Sequence, residues 1–460
     1  MTDLLLIYPY FNDDESIFKF PPLGLGYIAS YVRSRGYTAD IIDCTFLTEK
    51  EATRRAKNAK ARVIGISCMS SMRDSALKLA RGLRGSCEHI IAGGPLPTAR
   101  PAEFLDHFDL VVLGEGEETV LELLQAYDSG MDHKELGVKG VSFRQYGGPK
   151  PGLDKKREAK HIITPPRQHI KDLDSIPFPS RDLFDHESYK RYFKDHHGYT
   201  ITSMMASRGC PFDCEFCSRP IFGRSYRGRS TATIVDEMEE IVSYGYDRIW
   251  IADDVFPLNR KMGEEFCGQL IKRRVEAAWE SLCRVDILDQ ELAAQMKKAG
   301  CYRLFFGMES GNDSILALMN KQTRVDQEKK AVGTAKSVGI KTGGFFILGY
   351  PGETDETMLD TMRMASSLPL DYVSITMPYP IPGTRLYDRV GKKMTMGDMK
   401  KGQGLVKHVL TYDSDFSSFK LKFGITKTMV QHYTRKHLGS WYGVMKPFET
   451  VTDLMFKKIR

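Results

Sequence analysis

Hydrophobic and polar positions alternate in two separate series along this chain, each setting short β-branched runs between longer amphipathic ones. In the first 130 residues, "LLLIYPY", "TADIIDCT", "RVIGISCM", "HIIAGGP" and "DLVVLGEG" read as strands; "GLGYIASYVRSRG", "EATRRAKNAKA", "DSALKLARGLRGS" and "PAEFLDHF" between them carry apolar residues at helical spacing. Strands separated by helices of this length predict right-handed crossovers and a parallel, doubly wound α/β domain. Such sheets bind ligands beyond the carboxyl ends of their strands. There the sequence sets small residues: Ser67, Gly93, Gly94, Gly114 and Gly116.

Residues 131–197 break the rhythm with Pro, Gly and charge, and read as a docked, partly extended linker. A second series follows over 198–390. Its strands are "YTITSMMASRG", "DRIWIADD", "AWESLCRVD", "YRLFFGMESG", "KTGGFFILGY" and "DYVSITMPYP", and a helical segment precedes each strand after the first. Six strands are few for an eight-fold barrel, so a partial, open (β/α)6 barrel is expected, with chemistry at the strand C-termini. Residues 391–460 form a small C-terminal extension.

Composition adds limits. At 460 residues and 42% hydrophobic, the chain has material for more than one core. It contains no run of about 18 apolar residues, and the start "MTDLLLIYPYFNDD" has too short an apolar run for a signal peptide. A cytoplasmic protein without a transmembrane segment is expected. Nine cysteines in so long a chain are no disulfide framework. The charge is uneven: residues 391–460 hold 14 Lys and Arg against 5 Asp and Glu, a net +9 out of +7 overall. Such a tail suits an anionic substrate, an acidic partner, a membrane surface or plain solvation. No nucleic-acid-binding pattern accompanies it.

The densest chemical signal is "SRGCPFDCEFCS", which places Cys210, Cys214 and Cys217 in a loop directly after the first strand of the second series. Three readings compete. Buried structural cysteines fit poorly, because Gly209, Pro211, Asp213 and Glu215 make this a loop. Structural zinc normally takes four protein ligands, and no second Cys or His pair stands at the usual spacing. A [4Fe–4S] cluster held by three thiolates keeps one iron open to a ligand that is not protein.

The CxxxCxxC spacing in "CPFDCEFC", followed by the barrel pattern, resembles the radical S-adenosylmethionine (SAM) superfamily. The resemblance implies that Cys210, Cys214 and Cys217 are the metal ligands and catalytic centre. The open iron then chelates SAM and cleaves it to a 5′-deoxyadenosyl radical. Further positions follow by resemblance. Phe216 would present backbone to adenine; Asp253 and Asp254 of "ADD" stand at the SAM amino group; Arg284 of "CRVD" pairs with the SAM carboxylate. Glu309 of "GMESG" contacts the ribose or amino group, and Gly349 of "FFILGYPGET" packs under adenine.

The first 130 residues are similar to the cobalamin-binding domain of the B12-dependent radical SAM class, through "PPLGLGYIASYVRSRGY", "SCM", "AGGPLPT" and "LGEGEET". The resemblance carries Ser67, Met69, Gly93, Gly94, Gly114, Glu115 and Gly116 to the Rossmann-like cobalamin site. One departure stands out. The D-x-H-x-x-G motif, whose His ligates cobalt, is missing, since "NDDESIFKFPPLG" has no His. The expected activity is methyl transfer from methylcobalamin to an unactivated carbon, a protein or peptide side chain being one substrate class and a small molecule another. The alternative is C–C bond formation or cyclisation of a lipid, hopanoid or tetrapyrrole. Both imply an electron donor such as ferredoxin or flavodoxin. The extension, with Tyr433, Trp441, Tyr442 and Phe448 interleaved among its cations, is a candidate substrate contact.

Overall fold

Short β-branched runs with no polar interruption form strands only where both faces are covered, and the first series does this. In the computed structural model, which describes residues 2–10, 19–131, 137–146, 159–391, 412–438 and 446–459, they become Leu4–Tyr8 (β1), Ala39–Asp43 (β2), Val63–Ser67 (β3), His89–Gly93 (β4) and Leu110–Val112 (β5). Their order is β2-β1-β3-β4-β5, all parallel, which puts the topological switch between β1 and β3. Leu5, Ile7, Ile64, Ile66 and Val111 from the sheet and Ala76, Ala80 and Leu83 from a covering helix form one buried core.

Two features differ from the sequence reading. Val141–Tyr146 (β6) and Ala159–Ile163 (β7), inside the stretch read as a linker, add two antiparallel strands to the β5 edge. The helix expected over "PAEFLDHF" is a single 3-10 turn, Pro101–Glu103, preceded by the short helix Pro95–Ala99. Pro101 explains why the helix Pro95–Ala99 does not continue into this turn: it has no N–H to donate, and Arg100 before it is out of the helical region at φ −142°.

The second series forms a six-stranded sheet from Ile201–Met204 (β8), Arg248–Ile251 (β9), Ala278–Cys283 (β10), Cys301–Glu309 (β11), Lys341–Ile347 (β12) and Tyr372–Thr376 (β13), paired in chain order. The pairings from β9 to β13 are all parallel, and β8 and β13 end the sheet, so the barrel is open as expected. Helices start on side-chain caps: Ser230, Asn259, Asp289 and Thr354 each accept a backbone N–H from the first turn. By contacts the chain divides into two units, Met1–Ser203 with Arg219–Arg229, and Met204–Ser218 with Ser230–Arg460.

Two C-terminal helices, Ser418–Leu438 and Lys446–Lys458, belong to the second unit. Leu421, Ile425 and Phe456 enter the barrel's own core. Gly424 permits this, because a Cβ there would stand 2.9 Å from both Leu348 and Phe456. The centre of that core is Trp279, fully buried, edge-on to Phe266 at 5.4 Å and donating its indole N–H to Ala299 O at 2.9 Å. Trp279→Ala is expected to destabilise the barrel by about 3–5 kcal/mol. Urea unfolding followed by circular dichroism checks this, and an unchanged midpoint contradicts it.

Candidate active site

Strand ends of the second unit converge on a cavity of about 380 Å³. Cys210, Cys214 and Cys217, with Phe212 and Phe216, enter it from the loop after β8, where Gly209 turns the chain at φ +82°. Asp254 follows β9, Arg284 follows β10, Glu309 ends β11, and Lys321 and Thr323 come from the loop beyond. Trp250 and Phe345 supply apolar wall.

The cysteine loop has no helix or strand of its own and is tied from outside. Asp213 O accepts the Asn320 amide at 2.7 Å and the Arg385 guanidinium at 2.5 Å. Glu215 N–H donates to Met319 O at 2.9 Å, and Glu215 O accepts from Leu386 N at 3.2 Å. The Glu215 carboxylate takes Tyr350 Oη at 2.5 Å and pairs with Arg389 at 3.2 Å. The acidic residues between the cysteines are thus spacers with fixed partners.

Two of the charged residues on the cavity wall form an ion pair with each other. Lys321 Nζ donates to Glu309 Oε1 at 2.9 Å, and both side chains are largely buried. Burial opposes the ammonium, but Glu309 and then Cys214 outweigh it, and the Lys321 pKa is raised. Glu309 is held in the left-handed region at φ +61°. Gly307 makes room for the pair, since a Cβ there would fall 2.6 Å from Glu309 Oε1 and 2.8 Å from Lys321 Nζ. Behind them Glu328 is buried, and burial pushes its carboxyl up to about 9, so it carries its proton at neutral pH.

The residues expected from sequence separate into two sets. Phe216, Asp254, Arg284 and Glu309 share the cavity with the three cysteines. Arg284 stacks 3.6 Å from the Phe212 ring centroid and spends two donors on Asp286, at 2.9 and 2.7 Å. Asp253 is turned away: it accepts Ala206 N–H at 2.8 Å and the Ser207 hydroxyl at 2.5 Å, tying the β9 end to the residues ahead of the cysteine loop. Both aspartates lie in the bend beyond β9, where Asp253 is buried and Asp254 is exposed on the cavity wall. Gly349 lies off the cavity wall. Its φ of +87° and its N–H bond to Glu353 Oε2 at 2.7 Å form a turn, and Leu421 approaches to 2.6 Å of where a Cβ would stand. Lys321 and Phe212 escaped the sequence reading. A lone Lys in "MNKQT" carries no spacing signal, and Phe212 shows its role only through Arg284.

In the first unit, Ser67 and Gly93 end the adjacent strands β3 and β4. Gly94, at φ +99°, lies where a Cβ would be 3.0 Å from Cys68 N and O, so only glycine lets these ends approach. Met69 is exposed beside them. Gly114, at φ +73°, has open space where a Cβ would be, and Gly116 packs on Ile28. Glu115 has a different role from its neighbours. It is ion-paired with Arg227 at 2.8 Å and accepts Ile170 N–H at 2.9 Å, with side-chain exposures of 7% for Arg227 and 3% for Glu115. This carboxylate holds its own unit together. Residues 11–18 of the loop after β1 lie outside the described residues.

Among the described residues no group of three or more His, Cys, Asp or Glu converges as a single metal ion requires. Three thiols of one loop lining the same cavity suit a polynuclear cluster, in which each thiolate would take a different iron. The cysteine set therefore fits a [4Fe–4S] cluster. Of the small residues at the ends of β3, β4 and β5, Gly114 leaves open space where a side chain would stand, while Gly94 and Gly116 let the chain pack closely on Cys68 and Ile28.

Comparison with known proteins agrees in both units. The family model described as the Radical SAM superfamily matches residues 204–365, and that of the B12 binding domain matches residues 14–124. An uncharacterized methyltransferase from Pyrococcus horikoshii is 34% identical over 377 residues, 80% of this chain and 78% of that protein. An anaerobic magnesium-protoporphyrin IX monomethyl ester cyclase from Rubrivivax gelatinosus is 30% identical over 413 residues, 86% of this chain and 72% of the cyclase. The solved structure of the cobalamin-dependent S-adenosylmethionine radical enzyme OxsB with aqua-cobalamin bound aligns with a TM-score of 0.75 over 99% of this chain and 72% of that one. At 17% identity that is a likeness of fold.

Two predictions follow from the geometry. Replacing Cys210, Cys214 or Cys217 singly by Ala should abolish the iron content and visible absorbance of anaerobically reconstituted protein, whereas Cys267→Ala in the barrel core should not; equal iron in all four would contradict the assignment. Burial pushes the Asp253 carboxyl up to about 7. A carboxyl raised on folding adds stability below its unfolded pKa of about 3.9, and that stability is lost as pH rises through the folded value. Stability should therefore fall between about pH 4 and 7, by at most about 1.4 kcal/mol per pH unit from this group. In Asp253→Asn, urea midpoints across that window should flatten.

Proposed function

We propose, because this chain belongs to the B12-binding radical SAM superfamily, that it is a C-methyltransferase acting on an unactivated carbon. The observation that carries the reading is that all three thiols of one loop line a cavity with an internal charge pair; the fourth thiol on its wall, Cys283, comes from the end of β10, is buried and donates to Arg284 O at 3.4 Å. When bound, a [4Fe–4S] cluster supplies the electron that cleaves SAM, and cobalamin supplies the methyl group. The chain's own part is positional. Cys210, Cys214 and Cys217 hold three irons; Asp254, Glu309, Lys321 and the Phe212-backed Arg284 offer the polar groups that an amino acid and a ribose need. The apolar wall of Trp250, Phe345 and Phe216 keeps water from a reactive carbon.

In this reading residues 1–130 are the cobalamin domain, 198–390 the SAM barrel, and an electron donor such as ferredoxin or flavodoxin reduces the cluster. The substrate is a protein or peptide side chain or a small molecule. A second reading, ring closure or C–C coupling without methyl transfer, is favoured by the similarity to the Rubrivivax gelatinosus cyclase over 86% of this chain.

One assay separates them. Anaerobic protein given SAM, methylcobalamin and a reductant, with a pool of candidate substrates, should form 5′-deoxyadenosine and S-adenosylhomocysteine together, and mass spectrometry should show a gain of one methyl. Deoxyadenosine with a substrate product that has gained no carbon would replace methyl transfer by the cyclase reading.

A further inference from the structure

Helix Lys446–Lys458 is docked with its faces reversed from the usual order. Its inward face is ionic: Glu449 pairs with Arg435 at 2.5 Å, and Asp453 pairs with Lys427 at 2.5 Å and Arg363 at 2.9 Å. Thr452 and Phe456 complete that face, both buried. Residues 449, 452, 453 and 456 follow helical spacing, so the opposite face belongs to 448, 451 and 455 with 454 beside them. Those positions are Phe448, Val451, Leu454 and Met455, exposed by 55, 53, 55 and 50%. The neighbouring helix Ser418–Leu438 adds exposed Val430 and Tyr433, which flank a shallow groove rimmed by Lys422. Scattered apolar residues on a surface need no explanation, but a stripe of four on one helix face does.

The charge around the stripe selects its occupant. From residue 416 to 459 the sequence has 8 Lys and Arg and only 2 acids, Glu449 and Asp453. Both acids are used in the inward ion pairs, while Lys422 and Lys458 are exposed. The outward surface is therefore apolar at its centre and cationic at its edges. We infer that these two helices form a peripheral docking surface for a bilayer containing anionic lipid. The apolar stripe enters the headgroup boundary and the lysines meet the phosphates. A second copy fits less well, because a two-fold contact sets like patches face to face and opposes their lysines. A bilayer asks for no shape complementarity from a convex helix face. Among the described residues no helix is long and apolar enough to cross a membrane, so the contact is one of lying on it.

The test uses the full chain carrying its reconstituted cluster, sedimented with vesicles of phosphatidylcholine alone or of phosphatidylcholine with phosphatidylglycerol. Binding is expected to the phosphatidylglycerol vesicles, weakening as salt rises, with far less to the neutral ones. The double variant Leu454→Glu/Met455→Glu should lower partitioning by about tenfold or more at unchanged iron content. Leu454→Ser replaces it if the pair of charges disturbs folding, and Lys458→Glu should weaken only the binding to anionic vesicles. Wild-type protein that ignores both vesicle types overturns the inference. So does a wild-type dimer that the double variant makes monomeric without any vesicle binding, or vesicle binding that all the variants retain.

Discussion

A loop of the form CPFDCEFC has no ladder or helical hydrogen bonds to fix it, and a cluster ligand set is useful only if it is held in place before the metal arrives. Everything at this site depends on how that loop is anchored. Its backbone and acidic side chains are held by Met319 and Asn320 after β11, by Tyr350 after β12, and by Arg385, Leu386 and Arg389 after β13. Three separate segments beyond strand ends, one of them the helix Arg385–Val390, thus act on eight residues. The parallel sheet provides the frame, since each crossover returns the chain to the same edge.

The same arrangement sets the electrostatics. A buried ammonium facing a carboxylate is tolerated because each charge is the other's solvation. The lysine nevertheless acts on a thiol as well: burial pushes Cys214 up, and Lys321 is the strongest influence pulling it back. The neutral, protonated Glu328 behind the pair adds a polar group without a second negative charge. A cavity built this way presents cations, Lys321 and Arg284, and anions, Glu309 and Asp254, to a zwitterionic ligand, with aromatic surface around them.

The sequence made the architecture legible where periodicity and glycine spacing carry information. All eleven strands of the two series were visible as β-branched runs, and the cysteines as a loop motif. What escaped were facts of register and direction. β6 and β7 lay in a stretch whose composition reads as linker, because strand formation there depends on the β5 edge. Asp253 and Asp254 are indistinguishable in sequence, yet one is a buried brace and the other is exposed on the cavity wall. Glu115 sits among glycines that shape a strand-end opening, and only the structure shows Arg227 and Ile170 engaging it. Lys321 became visible once the chain had folded back on Glu309.

The contact between Leu421 and Gly349 carries a consequence for how this protein can change. The methyl groups of Leu421 occupy the volume that any side chain at position 349 would need, and Tyr412 Oη caps the Gly349 carbonyl at 3.1 Å. Barrel and tail are therefore interdependent. A chain shortened before the helix Ser418–Leu438 would leave a void against the strand-end turn, and a larger residue at 349 would displace the helix. The C-terminal segment is a wall of the barrel rather than an appendage. Its sequence is constrained where it fills the space a missing Cβ leaves.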